Sequence, residues 1–322
     1  MKSPLFIFSL PRSGSTLLQR VLMGHRDVCS LAEPWVLLPQ IYALKEEGSL
    51  SEYSSVTAYY GIAGFLENLP KKKQDYMDSL SKFMTEIYSK QCKNGETYFL
   101  DKTPRYYHII DEIFELFPDA KFIFLFRNPI HIYASIVNTW GDKRFRKLYS
   151  TYYDMINGFK LLSKGFTKHK NKSISLNYED FIKDPTKELL KISKYLEIEF
   201  DDKILEHFSN QDTKGILGDP TGVKTYSSIS SEGLNKWEQT FNSFIRKKYA
   251  FALMNKIDEE DFKAQNYSKT EILKSIKNLD NKKNGLIFID LFDYFVSFVV
   301  RRTNLYLLVS KNFSWVKKKS FS

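Results

Sequence analysis

Arg12, Ser13, Gly14, Ser15 and Thr16 follow Pro11 in a single run whose residue types suit the binding of an anion. Arg12 carries a permanent positive charge, and the Ser15 and Thr16 hydroxyls can add donors to the backbone N–H groups. The spacing nearly matches a Walker loop, with Ser9 and Gly14 at its two glycine positions and Thr16 at its hydroxyl position. Ser15 stands where the Walker lysine would be, and the cation has moved to Arg12. The lysine of a nucleotide triphosphatase reaches the β- and γ-phosphates, so this loop suits a phosphate outside a triphosphate.

The elements that must hold the loop lie on either side of it. Leu5-Phe6-Ile7-Phe8 is a short run of β-favouring apolar residues that reads as a buried strand. It breaks at Pro11 and re-emerges as the amphipathic pattern Leu17, Leu18, Val21, Leu22 of a helix. Strand, small loop and helix N-terminus bring free N–H groups and the helix dipole onto one negative group. A second unit of this kind follows at residues 121–126, a continuous apolar strand ending in Arg127-Asn128-Pro129. Pro129 opens a helix at its first turn, and Ser135 sits on it eight residues past the arginine. A shorter strand is expected over 98–100, a helix over 104–117 stopped at Pro118, and a tyrosine-rich helix over 145–168. Residues 173–177 alternate as a strand and lead through Tyr178-Glu179-Asp180 into a helix ending at Leu196. Residues 36–95 read mainly helical, with a polar middle around Lys71-Lys72-Lys73. No internal repeat or low-complexity linker interrupts the chain. Strands alternating with helices predict parallel βαβ units with ligands at the carboxyl ends of the strands, where both loops sit.

Over roughly residues 3–240 the chain resembles the sulfotransferases that use 3′-phosphoadenosine 5′-phosphosulfate (PAPS). The resemblance rests on two signatures in order: the Pro-Arg-Ser-Gly-Ser-Thr loop, and the strand that ends in Arg127 with Ser135 on the next helix. It implies a P-loop-like, three-layer α/β/α fold with a central, mainly parallel sheet. The catalytic domain would cover residues 1–268, with 36–95 as a helical insertion on the acceptor side and 269–322 as a basic, amphipathic helical extension. It implies PAPS as co-substrate, no metal, and in-line transfer of a sulfuryl group to a hydroxyl. A carbohydrate or lipid-linked glycan is the expected acceptor, since many bacterial relatives modify surface glycans.

The same resemblance distributes roles. Arg12 and the N–H groups of Ser13, Gly14, Ser15 and Thr16 would hold the 5′-phosphosulfate, and Arg127 with Ser135 the 3′-phosphate. Residues 11–39 look particularly like protein-tyrosine sulfotransferases, whose catalytic glutamate falls at Glu33, 21 residues after Arg12. Their usual acidic pair is here Ala32-Glu33, which leaves one carboxylate as general base; His25 is a competing base. Lys102 would face the bridging oxygen or the sulfonate, with Asp101 orienting it or capping the helix. Tyr178 would contact the adenosine side of the donor. Leu234-Asn235-Lys236-Trp237 resembles the loop that closes over PAPS, so Lys236 would reach the 3′-phosphate, with Lys224 as a second possibility.

Two other functions are weighed against this one. A P-loop nucleotide kinase or triphosphatase needs a lysine beside Gly14 and a carboxylate at a strand end for Mg²⁺, where Ser15 and Arg127 stand. A noncatalytic, membrane-associated scaffold on the same fold predicts loss of Glu33 or Lys102, and both are present.

Bulk properties bound the rest. The chain of 322 residues is 43% hydrophobic and 27% charged, an ordinary globular composition, and its 26 Phe supply ample core mass. Cys29 and Cys92 make no disulfide framework, and no His/Cys cluster has zinc spacing. The apolar run over 4–10 is too short for a signal peptide. Animal Golgi sulfotransferases carry an anchor and stem before this strand, so a cytoplasmic enzyme is expected, peripheral at the inner face of the membrane. The net charge of +10 is uneven: residues 269–322 hold 11 Lys/Arg against 4 Asp/Glu, a net of +7. A basic tail beside an apolar segment suggests an acidic surface rather than nucleic acid. Within 286–310, Asp290, Asp293, Ser297, Arg301 and Asn304 form one narrow polar stripe on a helix. Two aspartates and two arginines make a membrane span expensive, so the segment should dock to an apolar surface or pack on the catalytic core. Trp315 and Lys317-Lys318-Lys319 favour an anionic headgroup layer.

Overall fold

Leu5, Phe6, Ile7 and Phe8 are completely buried, as a strand covered on both faces must be. They belong to β1 (Ser3–Ser9) in a computed structural model that describes residues 1–46, 48, 54–145, 148–211, 229, 234–282 and 287–303. With β2 (Val28–Ser30), β3 (Tyr98–Asp101), β4 (Lys121–Phe126) and β5 (Ile174–Asn177), it makes a five-stranded sheet of order β2-β3-β1-β4-β5. Every pairing is parallel, so the chain is an α/β protein.

On one face Phe6 stacks on its cross-strand partner Phe122 at a ring separation of 5.8 Å, and Phe8 packs tilted against Phe124 at 5.0 Å. Phe114 and Tyr88, from the Ile110–Leu116 and Lys73–Ser89 helices, extend this aromatic layer. From β1 the chain turns to one side of the sheet, toward β2, and from β4 to the other, toward β5. The carboxyl ends of the neighbours β1 and β4 therefore form the topological switch point, where open α/β sheets bind ligands.

The chain divides into two compact units. The first comprises Met1–Arg127, Leu161–Ser231 and Ala264–Asn266, and holds the sheet. The second comprises Asn128–Lys160, Glu232–Lys263 and Tyr267–Ser322, and the regular elements among its described residues are helices. In the second, Asn128 caps the Pro129–Thr139 helix by accepting from the Ile130 N–H, and Tyr133 stacks on Phe241 at 5.0 Å.

Several local expectations change. Residues 25–32, to which the sequence assigns no element, contain the short strand β2, which pairs with β3. The expected helix over 104–117 is a 3₁₀ turn, Tyr106–His108, followed by the Ile110–Leu116 helix. The tyrosine-rich helix begins at Leu148 and is interrupted by a π turn, Asp154–Gly158. Cys29 and Cys92 are joined by a disulfide within the first unit.

The Ile287–Arg302 helix packs by its polar stripe, not by its apolar face. Asp290, Asp293 and Ser297 are buried, and the phenylalanines point outward. Among the described residues no helix is long and apolar enough to cross a membrane. Asn304, Trp315 and the lysines after it lie outside the described residues.

Candidate active site

The loop after β1 is shaped at two positions. Arg12 adopts φ 68° and Gly14 φ 88°, both left-handed. Such a conformation is sparsely populated away from glycine and clusters at functional sites. At Gly14 a side chain is also excluded by space, because a Cβ there would collide with the Tyr178 ring. Helix α1 (Ser15–Met23) follows, with no side-chain cap on Gly14 and no acidic residue in its first turn. Its N-terminal dipole is thus left for a ligand, and Ser13, Ser15 and Thr16 beside it are buried.

Arg127, at the end of β4, closes the other side. Its Nη1 donates to the Arg12 carbonyl at 2.9 Å, and its guanidinium lies 4.2 Å from the Tyr178 ring centroid. This follows from register: Phe126 pairs with Asn177, so Arg127 and Tyr178 leave adjacent strands together. Arg127 Nε and Ser9 Oγ are buried polar atoms with no hydrogen-bond partner among the described residues. Tyr178 therefore supports both the loop glycine and the arginine.

Lys102 joins the loop to the candidate base. It is 1% exposed, and its Nζ lies 2.9 Å from Glu33 Oε1 and 3.4 Å from Thr16 Oγ1. Glu33, 15% exposed, accepts from the Trp35 indole N–H through Oε2 at 3.3 Å. Gln19, buried in α1, donates to Ser30 Oγ and the Leu31 carbonyl, fixing the approach to Glu33.

Asp101 turns away from the role expected of it. Its carboxylate makes no hydrogen bond to Lys102 but accepts from Tyr88 (2.7 Å), Tyr106 (2.9 Å) and Thr103 (3.1 Å). Complete burial raises it to about 6, against the opposing pull of those three hydroxyls and of Lys102. The same burial lifts the Tyr88 and Tyr106 phenols well above their ordinary value. Thr103 Oγ1 and Tyr106 Oη in turn accept from the Trp35 and Leu37 N–H groups, pinning the loop after Glu33.

The competing base is otherwise engaged. His25 Nδ1 accepts from the Asp27 N–H at 3.1 Å, and Nε2 meets the Glu199 carbonyl at 2.8 Å, so backbone groups occupy both nitrogens. Ser135 and Lys236 belong to the second unit: Ser135 is half-buried on the Pro129–Thr139 helix, and Lys236 is exposed at the start of the Lys236–Phe241 helix. Lys224 lies outside the described residues.

Thus one unit gathers Ser13, Gly14, Ser15, Thr16, Glu33, Lys102, Arg127 and Tyr178 around the β1 and β4 ends, with the Arg12 carbonyl inside the same network. Sequence reasoning missed Trp35, Gln19, Tyr88 and Tyr106. Only Trp35, two residues from Glu33, gave a local signal.

Comparison with known proteins gives the family and the fold. The sequence profile of the Sulfotransferase family matches residues 4–202. NoeE, a nodulation protein of Sinorhizobium fredii, is 34% identical over 137 residues, 42% of this chain and 31% of NoeE. The protein-tyrosine sulfotransferase of Drosophila melanogaster is 24% identical over 254 residues, 72% of this chain and 46% of that protein. The chain thus spans less than half the length of either relative. It superimposes on the sulfotransferase domain from the curacin biosynthetic pathway with a TM-score of 0.53 and 19% identity, over 79% of this chain and 97% of that domain, a likeness of fold.

Proposed function

The chain belongs to the sulfotransferase family, and from that premise we propose that it transfers a sulfuryl group from PAPS to a hydroxyl acceptor. The observation that carries the proposal is the position of Lys102 Nζ, within reach of both Thr16 of the loop and the Glu33 carboxylate. Donor site, cation and base are joined at one atom.

The residues fit a donor with two anionic ends. The uncapped N-terminus of α1 and the loop N–H groups take the 5′-phosphosulfate, with Arg12 as counter-charge. Arg127, whose Nε is buried and has no hydrogen-bond partner among the described residues, takes the 3′-phosphate. Tyr178 holds the Arg127 plane on the adenosine side.

Transfer is an in-line displacement. The acceptor oxygen forms a bond to sulfur as the bond from sulfur to the bridging oxygen breaks. Glu33 Oε1 takes the acceptor proton, and Lys102 turns to the charge gathering on the bridging oxygen. The 2.9 Å ion pair holds both groups in place beforehand, so little reorganisation remains. A hydroxyl of a carbohydrate or lipid-linked glycan is the proposed acceptor.

Calorimetry with 3′,5′-adenosine bisphosphate and with ATP, each with and without Mg²⁺, tests the donor reading. Tight binding of the bisphosphate, indifferent to Mg²⁺, is expected. Preference for ATP with Mg²⁺ would turn the reading to a nucleotide kinase.

A further inference from the structure

The Ile287–Arg302 helix is amphipathic, but it is mounted the opposite way from an ordinary surface helix, which buries its apolar stripe. Arg246 grips Asp290 with a two-pronged bond, Nε to Oδ2 at 2.7 Å and Nη2 to Oδ1 at 2.8 Å. Arg144 grips Asp293 in the same way, at 3.0 and 2.7 Å. Ser297 Oγ donates to the Phe145 carbonyl at 3.1 Å. Two forks and a hydroxyl on successive turns fix the rotation of the helix about its axis. What they leave outside is Phe288 (85% exposed), Phe292 (64%) and Phe295 (63%), flanked by Ile289, Leu291 and Phe298.

We propose that this face is a docking surface for an anionic lipid bilayer, in whose headgroup layer the helix lies flat. The inference is independent of the sulfotransfer reading. Monomeric proteins rarely leave so continuous an apolar face in water. Charge selects the occupant. Both aspartates of the helix are turned inward and neutralised by Arg144 and Arg246, so no acid remains on the outward face. Arg302 is exposed at the helix end, and the sequence beyond it contains Lys311, Lys317, Lys318 and Lys319 with no acidic residue. Bulky apolar residues beside uncompensated basic charge suit an anionic interface. A second copy of the chain suits it poorly, because a two-fold contact would bring together two segments of net charge +7 (11 minus 4 over residues 269–322). The helix lies on the bilayer rather than through it: Asp290, Asp293, Arg301 and Arg302 make a span expensive, and among the described residues no helix is long and apolar enough for one.

The test is co-sedimentation of the full chain with vesicles of phosphatidylcholine alone and of phosphatidylcholine mixed with phosphatidylglycerol. Binding to the mixed vesicles should exceed that to the neutral ones by about tenfold and weaken with salt. The combined Phe288→Ser, Phe292→Ser and Phe295→Ser substitutions, all at exposed positions, should lower it by a further factor of about ten or more. A full chain that ignores the mixed vesicles overturns the proposal, whatever the variant does. So does binding that survives the triple substitution. A dimer in analytical ultracentrifugation that dissociates on triple substitution, without vesicle binding, would assign the face to a second copy instead.

Discussion

Glu33 and Lys102 form a pair in which the lysine is buried and the carboxylate is its anionic partner at 2.9 Å, so substitutions there must separate chemistry from packing. Glu33→Gln does so. The amide keeps an oxygen for Lys102 and removes the proton acceptor, so donor affinity should persist while turnover falls on the order of 10²–10⁴-fold. Calorimetry with 3′,5′-adenosine bisphosphate beside single-turnover kinetics checks both halves, and a near-normal rate would remove Glu33 from the mechanism. His25 would not inherit the role as folded, since backbone groups occupy both its nitrogens. Arg127 tests the donor instead. Its Nη1 bond to the Arg12 carbonyl and its stacking on Tyr178 leave Nε for a ligand. Arg127→Ala should weaken the bisphosphate by about 2–4 kcal/mol and abolish the preference for 3′-phosphorylated nucleotides. Equal affinity of the unaltered chain for adenosine 5′-phosphosulfate and PAPS would refute the 3′-phosphate assignment.

At the scale of elements, Asp101 ties the end of β3 to the Lys73–Ser89 helix through Tyr88, to the 3₁₀ turn through Tyr106 and to the Glu33 loop through Thr103. Holding this carboxylate out of water has a pH signature. Its pKa is near 6 folded against 3.8 ordinarily, so between about pH 4 and pH 6 the folded chain binds a proton that the unfolded chain has released. Stability at this group is greatest below pH 4 and declines through pH 6, by about 3 kcal/mol in all. Asp101→Asn should flatten that part of the stability–pH curve in urea titrations, whatever its absolute stability; an unchanged slope would mean that another group titrates there. Elements differ in how far the sequence discloses them. The strands β1 and β4 are legible because four or more successive apolar residues need cover on both faces. The three-residue β2 is not, since its only pairing is with β3, about 70 residues onward. The same division holds in the site. Arg12, Gly14 and Thr16 announce themselves by local spacing, and Glu33 and Lys102 through family resemblance. Tyr88 and Tyr106 take their roles from a distant buried carboxylate that no local pattern reveals.

At the scale of the whole molecule, the two proposed negative partners fall to different units. The donor loop, Glu33, Lys102, Arg127 and Tyr178 lie in the first unit; the inverted helix, its arginine clamps, Ser135 and Lys236 lie in the second. A ligand slows amide exchange where it stabilises the closed state, so hydrogen exchange on the intact chain can map the two partners separately. Saturating 3′,5′-adenosine bisphosphate, at about 100 times its Kd, should stabilise the amides it engages by about 2.7 kcal/mol, or about hundredfold slower exchange. That protection should centre on residues 14–17, where the uncapped first turn of α1 leaves N–H groups for the ligand. Further protection within 129–139 and 236–241 would support the contributions of Ser135 and Lys236, and its absence would leave the 3′-phosphate to Arg127. Anionic vesicles should do the reverse, slowing exchange over 287–303 while the loop amides keep their rates. Vesicle protection that appears at the loop and spares the terminal helix would place the lipid contact on the first unit, and the inverted helix would lose its assigned partner.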